Sequence, residues 1–195
     1  MFRILLSILF CFLLTTQCCA KDILLKRCQD DRIVLIIGVA DKNHIAYGHG
    51  FIVGKNKIIT ATHILNNNFE YVFIDIKGKA RLISQNQVKY LTNTITTINI
   101  NTEGIAPYPI GTIKKGDRIK INNCVSSSSG QIFGVANNYL ISDSFIAKGW
   151  SGSPVLNSKG EAVGIVEALI NLNGDEKFSG ASILTRIDKS CKVKF

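Results

Sequence analysis

Residues 147–166 read AKGWSGSPVLNSKGEAVGIV, and this stretch decides how the chain is interpreted. The pattern predicts a tight loop, a short strand over 154–156, a turn and a second strand. Within the loop, Ser151 stands between Gly149 and Gly152, a frame in which a serine can occupy a sharp turn with its hydroxyl exposed. Backbone N–H groups beside it then converge on one point, as acyl transfer requires. The competing interpretation is an ordinary hairpin turn, because glycine and serine are common turn residues.

A histidine follows a predicted hairpin earlier in the chain. Residues 48–65 read GHGFIVGKNKIITATHIL, which predicts a strand, a turn about 54–56, a second strand and then His63. A neutral imidazole can take the proton of a serine hydroxyl and return it to a leaving group. His63 is therefore the candidate general base and Ser151 the candidate nucleophile. A lone histidine is more simply a surface or core residue, and the serine loop downstream favours the catalytic interpretation.

The two stretches together resemble the trypsin/chymotrypsin superfamily of serine proteases, and are closest to its short bacterial forms. Residues 60–63 (Thr-Ala-Thr-His) are similar to the family's Thr-Ala-Ala-His motif. Residues 149–154 (Gly-Trp-Ser-Gly-Ser-Pro) resemble its Gly-Asp-Ser-Gly-Gly-Pro motif. Both occur in the family's order, and the resemblance runs from about Ile33 onward. It implies a serine endopeptidase acting on protein or peptide substrates, with the N–H groups of Gly149 and Ser151 as the oxyanion hole.

Short β-branched segments separated by turn signals predict an all-β chain, either a barrel or a sandwich. The resemblance sharpens this expectation to two six-stranded antiparallel β-barrels, the double barrel of the chymotrypsin-like fold. Residues 21–104 would form the N-terminal barrel, which carries His63, and residues 105–195 the C-terminal barrel, which carries Ser151. The resemblance also implies a single helical turn at His63.

The residues just before the nucleophile line the first specificity pocket in the resembled family, which implies Phe145 and Ile146 here. Because neither is charged, we expect a small or medium apolar residue before the cleaved bond. Trp150 stands where digestive members of the family carry an aspartate that pairs with a newly cut N-terminus. Tryptophan cannot make that ion pair, so we expect no zymogen activation by that route.

The third member of the catalytic triad is missing from its usual place. The family's aspartate opens a strand that corresponds to residues 94–98, so Thr94 holds its position, with Asn93 beside it. In the family template, changing this aspartate to asparagine costs about 10⁴ in kcat, because the histidine tautomer is no longer held. The chain is therefore an enzyme with a relocated carboxylate, a weakened enzyme or a non-catalytic relative.

Glu167 is the candidate replacement, because it interrupts an otherwise apolar run over residues 162–170. It stands where the family has a serine that touches the triad aspartate. A buried, unpaired carboxylate is costly, so it should have a partner, and imidazolium at His63 is a suitable one. We predict a Glu167 oxygen within roughly 2.6–3.2 Å of a His63 ring nitrogen. The alternative is that Glu167 faces solvent on an edge strand.

Residues 1–20 have the pattern of a secretory signal peptide, with Arg3 before an apolar run of about a dozen residues and then small and polar ones. A membrane-spanning helix would need about 20 apolar residues. Cleavage after Ala20 fits this pattern and predicts a secreted or periplasmic protein. The alternatives are lipid attachment at Cys18 or Cys19, and an uncleaved membrane anchor.

Three cysteines follow the predicted cleavage site, at Cys28, Cys124 and Cys191. An odd number in a secreted chain permits one disulfide and one free thiol. The sequence leaves the pairing open. None of the three lies in a glycine-framed turn, which argues against a cysteine nucleophile.

The formal net charge is +9, from 23 Lys and Arg against 14 Asp and Glu. The basic residues are scattered and form no aromatic-interleaved face, so compositional bias explains them and no nucleic-acid partner is expected. The three histidines lack the i, i+4 spacing of a metalloprotease motif, so we expect no metal. We also expect no cofactor, no membrane contact beyond the signal peptide, and a monomer.

These observations leave three classes of function. The first is a secreted serine endopeptidase, which the intact His63, Ser151 and glycines favour. The second is a catalytically impaired protease-fold protein that acts as a binding module, which the missing aspartate favours. The third is a structural secreted β-domain in which the two motifs are coincidental.

Overall fold

The structure is a computed structural model, and the residues that it describes are 28–40, 44–65, 69–136, 138–171 and 180–187. For residues 168–171 and 180–183 the description is limited to the backbone. The predicted signal peptide and Cys191 lie outside the described residues. Thirteen strands and two short 3₁₀ turns make up the regular structure of the described part, so the all-β prediction is confirmed. No helix in these ranges is long and apolar enough to cross a bilayer.

The first seven strands form one antiparallel sheet in the order β5-β4-β1-β2-β3-β7-β6. Their bounds are β1 Ile33–Val39, β2 Ile45–Gly54, β3 Lys57–Ala61, β4 Tyr71–Ile76, β5 Lys79–Ile83, β6 Val88–Tyr90 and β7 Ile95–Asn99. Because successive side chains alternate between the two faces of a strand, these isoleucine- and valine-rich segments present one face to a common core. The β4–β5 hairpin turns at Lys77 and Gly78, where both residues adopt positive φ, as a two-residue hairpin requires.

The remaining six strands close into an antiparallel barrel in the order β10-β13-β12-β11-β8-β9. Their bounds are β8 Arg118–Asn122, β9 Ser127–Ala136, β10 Tyr139–Ser142, β11 Pro154–Asn157, β12 Ala162–Asn171 and β13 Gly180–Arg186. The ring closes because β9 pairs with β8 on one side and β10 on the other. Its separate core includes Ile121, Ile132, Leu140, Val155 and Val163.

The first half of the chain differs from the expected six-stranded barrel. It has seven strands, and the two at the ends of the sheet, β5 and β6, do not pair with each other. Four of the five β5 residues are exposed or half-exposed, and β6 has only three residues. Short, polar end strands of this kind resist further pairing. The fold is therefore one closed barrel beside a curled open sheet, which is consistent with a double-barrel architecture.

The connection from β7 to β8 is fastened to the first sheet by Tyr108. Its N–H donates to Ile52 O at 2.9 Å, and its hydroxyl donates to Asp30 at 2.6 Å. The Arg32 guanidinium lies 3.9 Å from the centre of the Tyr108 ring and also bonds Asp30. Burial raises the pKa of Asp30, but the hydrogen bonds from Arg32 and Tyr108 outweigh it and leave the pKa below its ordinary value. Further on, Ile110 forms a parallel bridge with Ala162, which links this segment to the barrel.

A disulfide joins Cys28 to Cys124, which answers the question of pairing that the sequence left open. Cys28 precedes β1, and Cys124 lies between β8 and β9 while packing into the core of the first sheet. The two cysteines are 96 residues apart, so the bridge links the start of the sheet to a loop of the barrel.

We predict that breaking this bridge destabilises the whole chain. Closing a loop of about 100 residues removes unfolded-state entropy worth about 4.7 kcal/mol in the chain-entropy model, and measured losses are typically about 2–4 kcal/mol. Urea unfolding of Cys124→Ser should show a loss of that size. Cys191→Ser, which leaves the bridge intact, is the matched control. Equal stability of the two variants would contradict a structural role for the bridge.

Candidate active site

His63 lies in a 3₁₀ turn, Thr62–Ile64, that begins where β3 ends. This is the helical turn that the family resemblance implied. The Thr62 N–H donates to Thr94 O at 3.0 Å, and its buried hydroxyl lies 2.9 Å from the hydroxyl of Thr96. With Thr62 and Ile64 turned into the core, His63 is presented outward, and 47% of its side chain is exposed.

Glu167 contacts His63 as predicted, with Oε1 3.1 Å from Nδ1. It lies on β12 of the closed barrel, where residues 162–165 pair with β11 and residues 164–171 pair with β13. Only 16% of its side chain is exposed, so it does not face solvent on an edge strand. The register with β13 shifts between Val166 and Ala168, which makes Glu167 the extra residue of a β-bulge. Bulges redirect a side chain, and they often do so beside functional sites.

The environment of Glu167 fixes the roles of its two oxygens. Oε2 accepts a hydrogen bond from the buried Thr185 hydroxyl at 3.3 Å, while Oε1 faces His63. Since an ionised carboxylate only accepts hydrogen bonds, His63 Nδ1 must carry the proton in this contact. The neutral imidazole then has its lone pair on Nε2, which is the nitrogen that a general base uses.

Thr94 does not take part in this contact. Its hydroxyl lies 3.2 Å from that of Thr92, and Thr92 Oγ1 also accepts from the N–H groups of Thr94 and Ile95. The Thr94 carbonyl supports the histidine turn through its bond to Thr62. The residue at the usual aspartate position therefore positions backbone rather than the imidazole.

Residues 147–153 carry the candidate nucleophile Ser151, and this segment, called the nucleophile loop below, is a compact set of turns. Trp150 N donates to Ala147 O at 3.1 Å, and Ser153 N donates to Trp150 O at 3.0 Å. Gly149 and Gly152 have φ of +84° and +80°, a region that side chains disfavour. A Cβ at Gly152 would also overlap the His49 carbonyl oxygen, so glycine is required there for space as well.

The nucleophile loop lies next to both His63 and Glu167, through contacts with Val166 on the barrel and with Gly48 on β2. Gly152 N donates to Val166 O at 2.9 Å, and Val166 N donates to Ser153 O at 3.0 Å, so the loop is tied to the residue before Glu167. On the first sheet, Gly48 lies close to both Ile64 and Ser151 O, so that a Cβ at this position would overlap Ile64 and crowd Ser151 O. The histidine turn and the loop therefore meet at Gly48.

Some backbone N–H groups of the loop have a carbonyl acceptor and others do not. Within the described ranges, the N–H groups of Gly149 and Ser151 donate to no backbone carbonyl. Those are the two donors that the family resemblance assigned to the oxyanion hole. No hydrogen bond among the described residues joins Ser151 Oγ to His63. In enzymes without substrate such bonds are often long, and they tighten on binding.

The two residues proposed for the specificity pocket are placed differently. Phe145 is 51% exposed and packs edge-on against Trp150, with 6.3 Å between the ring centres. Ile146 is buried in the barrel core together with Trp150. Phe145 is thus the more exposed of the two, and the apolar preference stays a prediction.

Sequence reasoning missed the part played by His49. Its side chain is buried on β2, and Nδ1 donates to Gly149 O at 2.8 Å. Burial lowers the pKa of His49 to about 4, although the hydrogen bond to Gly149 acts in the opposite direction. The signal that could have found it is the pair of flanking glycines, because glycine inside a strand often marks a close backbone approach.

Comparison of the chain with known proteins finds similar folds among solved structures. No family model matches the chain. The Rv3671c protease from M. tuberculosis in its active form is similar, with a TM-score of 0.66 and 13% identity over 80% of this chain and 76% of that one. Its inactive form matches with a TM-score of 0.65 and 12% identity over 80% and 84%.

A serine endoprotease from Yersinia pestis matches with a TM-score of 0.65 and 20% identity over 80% of this chain. The match covers 59% of the Yersinia chain, so this protein spans less than two thirds of that length. At such identities the likeness shows the fold alone. The fold is that of serine proteases, as the two motifs indicated.

We predict that His49 makes stability fall in mild acid. Its pKa is near 6.5 when unfolded and about 4 when folded, so between those values the unfolded chain binds more protons. The free energy of unfolding should therefore drop by roughly 1–3 kcal/mol as the pH falls from 6.5 to 4. His49→Asn should remove that part of the slope in urea unfolding series. Identical slopes for the two proteins would contradict the prediction.

Proposed function

We propose that the chain is a serine endopeptidase that hydrolyses peptide bonds through an acyl-enzyme on Ser151, with His63 as general base. The observation that carries the proposal is the 3.1 Å contact between His63 Nδ1 and Glu167 Oε1, beside a glycine-framed serine loop. It supplies the carboxylate that the usual aspartate position lacks. Glu167 is the proposed third member of the triad, contributed by the barrel rather than by the first sheet.

The mechanism follows from the proton positions. Glu167 holds the proton on His63 Nδ1, so Nε2 is free to take the proton of Ser151 as its Oγ attacks the substrate carbonyl. The carboxylate then stabilises the imidazolium. His63 returns the proton to the leaving amine, and a water activated by the same nitrogen hydrolyses the acyl-enzyme.

The carbonyl oxygen becomes an anion in the tetrahedral intermediate and needs donors. The N–H groups of Gly149 and Ser151 are the proposed donors, since no backbone carbonyl in the described ranges takes them. Removing one such donor typically costs about 10²–10³ in rate. Phe145 is proposed to favour an apolar residue before the cleaved bond.

The proposed compartment is secreted or periplasmic, after cleavage at Ala20. The Cys28–Cys124 bridge supports this, because disulfides persist in oxidising compartments and are rare in reducing ones. The proposed partners are protein or peptide substrates, with no cofactor.

The second candidate function is a catalytically impaired binding module. The absence of a hydrogen bond between Ser151 Oγ and His63 among the described residues favours it. The two candidates differ in whether Ser151 is reactive, which a covalent probe can measure.

We predict that a fluorophosphonate probe labels the purified mature chain at Ser151. The hydroxyl is activated only if His63 takes its proton, so Ser151→Ala should abolish labelling and His63→Ala should nearly abolish it. Ser158→Ala, which changes an exposed serine in the β11–β12 turn, is the matched control and should label normally. Failure of the parent chain to label at any pH would favour the binding module.

We also predict that Glu167→Gln lowers the labelling rate and kcat by two to four orders of magnitude, by analogy with the effect of about 10⁴ at the family's aspartate. The amide keeps the size of the side chain, but it can donate to Nδ1 as well as accept from it, so it no longer selects the Nδ1–H tautomer, and it has no charge to stabilise imidazolium. Glu161→Gln, which alters a carboxylate that bonds Asn157 in the β11–β12 turn, is the control. A loss under about threefold would mean that the triad has no carboxylate at this position.

A further inference from the structure

Three atoms of His49 engage the nucleophile loop from the neighbouring sheet. Its backbone N–H donates to Ser151 O at 2.8 Å, and its ring Nδ1 donates to Gly149 O at 2.8 Å. Its carbonyl oxygen lies so close to Gly152 that a Cβ there would overlap it. The same carbonyl accepts a hydrogen bond from Thr60 Oγ1 at 2.6 Å, which holds the His49 peptide in place. One residue therefore contacts three of the four residues from 149 to 152.

The ring of His49 has a defined proton. A carbonyl oxygen can only accept, so Nδ1 carries the hydrogen and Nε2 carries the lone pair. Nε2 is buried and has no hydrogen-bond partner among the described residues. An unpaired buried acceptor destabilises a fold, and an apolar side chain at this position would avoid that loss. Stability alone therefore does not account for a histidine here, whereas the bond to Gly149 does.

The loop needs support from outside itself. Glycine has the widest backbone freedom of any residue, so Gly149 and Gly152 could adopt many other conformations. Other contacts must hold them at their positive φ values. Trp150 occupies the position where digestive members of the resembled family carry an aspartate that pairs with a newly cut N-terminus, so the loop lacks that ion pair. The contacts from His49 reach the loop on the residues either side of Trp150.

We propose that His49 is a positioning residue that locks the nucleophile loop in its working shape without proteolytic activation. Holding the carbonyls of Gly149 and Ser151 fixes the peptide planes next to the two N–H groups that are proposed to bind the oxyanion. This inference deepens the proposed function and rests on it for its catalytic meaning. The locking itself concerns only the order of the loop, so it can be measured without catalysis.

The test compares two substitutions of matched shape. In His49→Asn, the side-chain amide nitrogen falls close to the place of Nδ1 and can still donate to Gly149 O. In His49→Leu, the branched side chain has similar bulk but no donor. Both variants keep the backbone bond to Ser151. Circular dichroism and an intact disulfide confirm folding, and His49→Val, which is smaller and also lacks a donor, replaces the leucine variant if the latter does not fold.

Trp150 reports on the loop directly, because it is the chain's single tryptophan and is largely buried. We expect acrylamide quenching of its fluorescence to rise at least about twofold in His49→Leu, as local opening exposes the ring. His49→Asn should behave like the parent protein. Unchanged quenching in the leucine variant, or equal loosening in both variants, would overturn the proposal.

Fluorophosphonate labelling kinetics test whether the order of the loop affects the reactivity of Ser151. In His49→Leu we expect the maximal labelling rate to fall about 10²–10³-fold, as when an oxyanion donor is lost, with little change in the probe's apparent affinity. His49→Asn should recover most of that rate. If quenching distinguishes the variants but the parent chain never labels, the lock stands and the proposed function fails. If the parent labels and quenching does not distinguish them, the lock fails alone.

Discussion

The close approach of the nucleophile loop to β2 is the contact on which the candidate site depends. Ser151 O accepts from His49 N, and there is no room for a side chain at Gly152 beneath the His49 carbonyl. Because β2 belongs to the first sheet and the loop belongs to the barrel, this contact sets how the two halves meet. It brings His63 and Glu167 within hydrogen-bond distance although 104 residues separate them.

Placing the carboxylate at Glu167 instead of Thr94 changes what orients the imidazole. A carboxylate at position 94 would stand on the same sheet as His63, whereas Glu167 reaches it across the interface between sheet and barrel. Its direction comes from the bulge on β12, and its second oxygen is held by Thr185. A glutamate has one more methylene than an aspartate, which suits the longer reach. The orientation of His63 therefore depends on the interface as well as on its own turn.

Short-range patterns predicted the strands, because alternation and turn residues are visible locally. The Glu167–His63 contact was predicted from a charge in an apolar run together with the family resemblance, which implies that position 167 lies beside the triad. Closure of the first half into a barrel was expected from the resemblance alone, and it depends on whether two short, exposed end strands meet. The disulfide pairing and the contacts of His49 join residues about 100 positions apart, which leaves no periodic signal. The only local sign of the close approach between His49 and the nucleophile loop is the pair of glycines, Gly48 and Gly50, that flank His49.

The parts of the site rest on supports of unequal strength. The turn that carries His63 is anchored by buried threonines, and Glu167 lies in a strand of the closed barrel with its second oxygen bonded to Thr185. The nucleophile loop, by contrast, contains two glycines at positive φ and is held by hydrogen bonds within itself, to Val166 of the barrel and from His49 of the neighbouring sheet. Among the described residues no hydrogen bond joins Ser151 Oγ to His63, and the alignment that the proposed function requires involves this glycine-containing loop. Under the proposed function a bound substrate would tighten this alignment, because its carbonyl oxygen would accept from the N–H groups of Gly149 and Ser151, which donate to no backbone carbonyl in the described ranges.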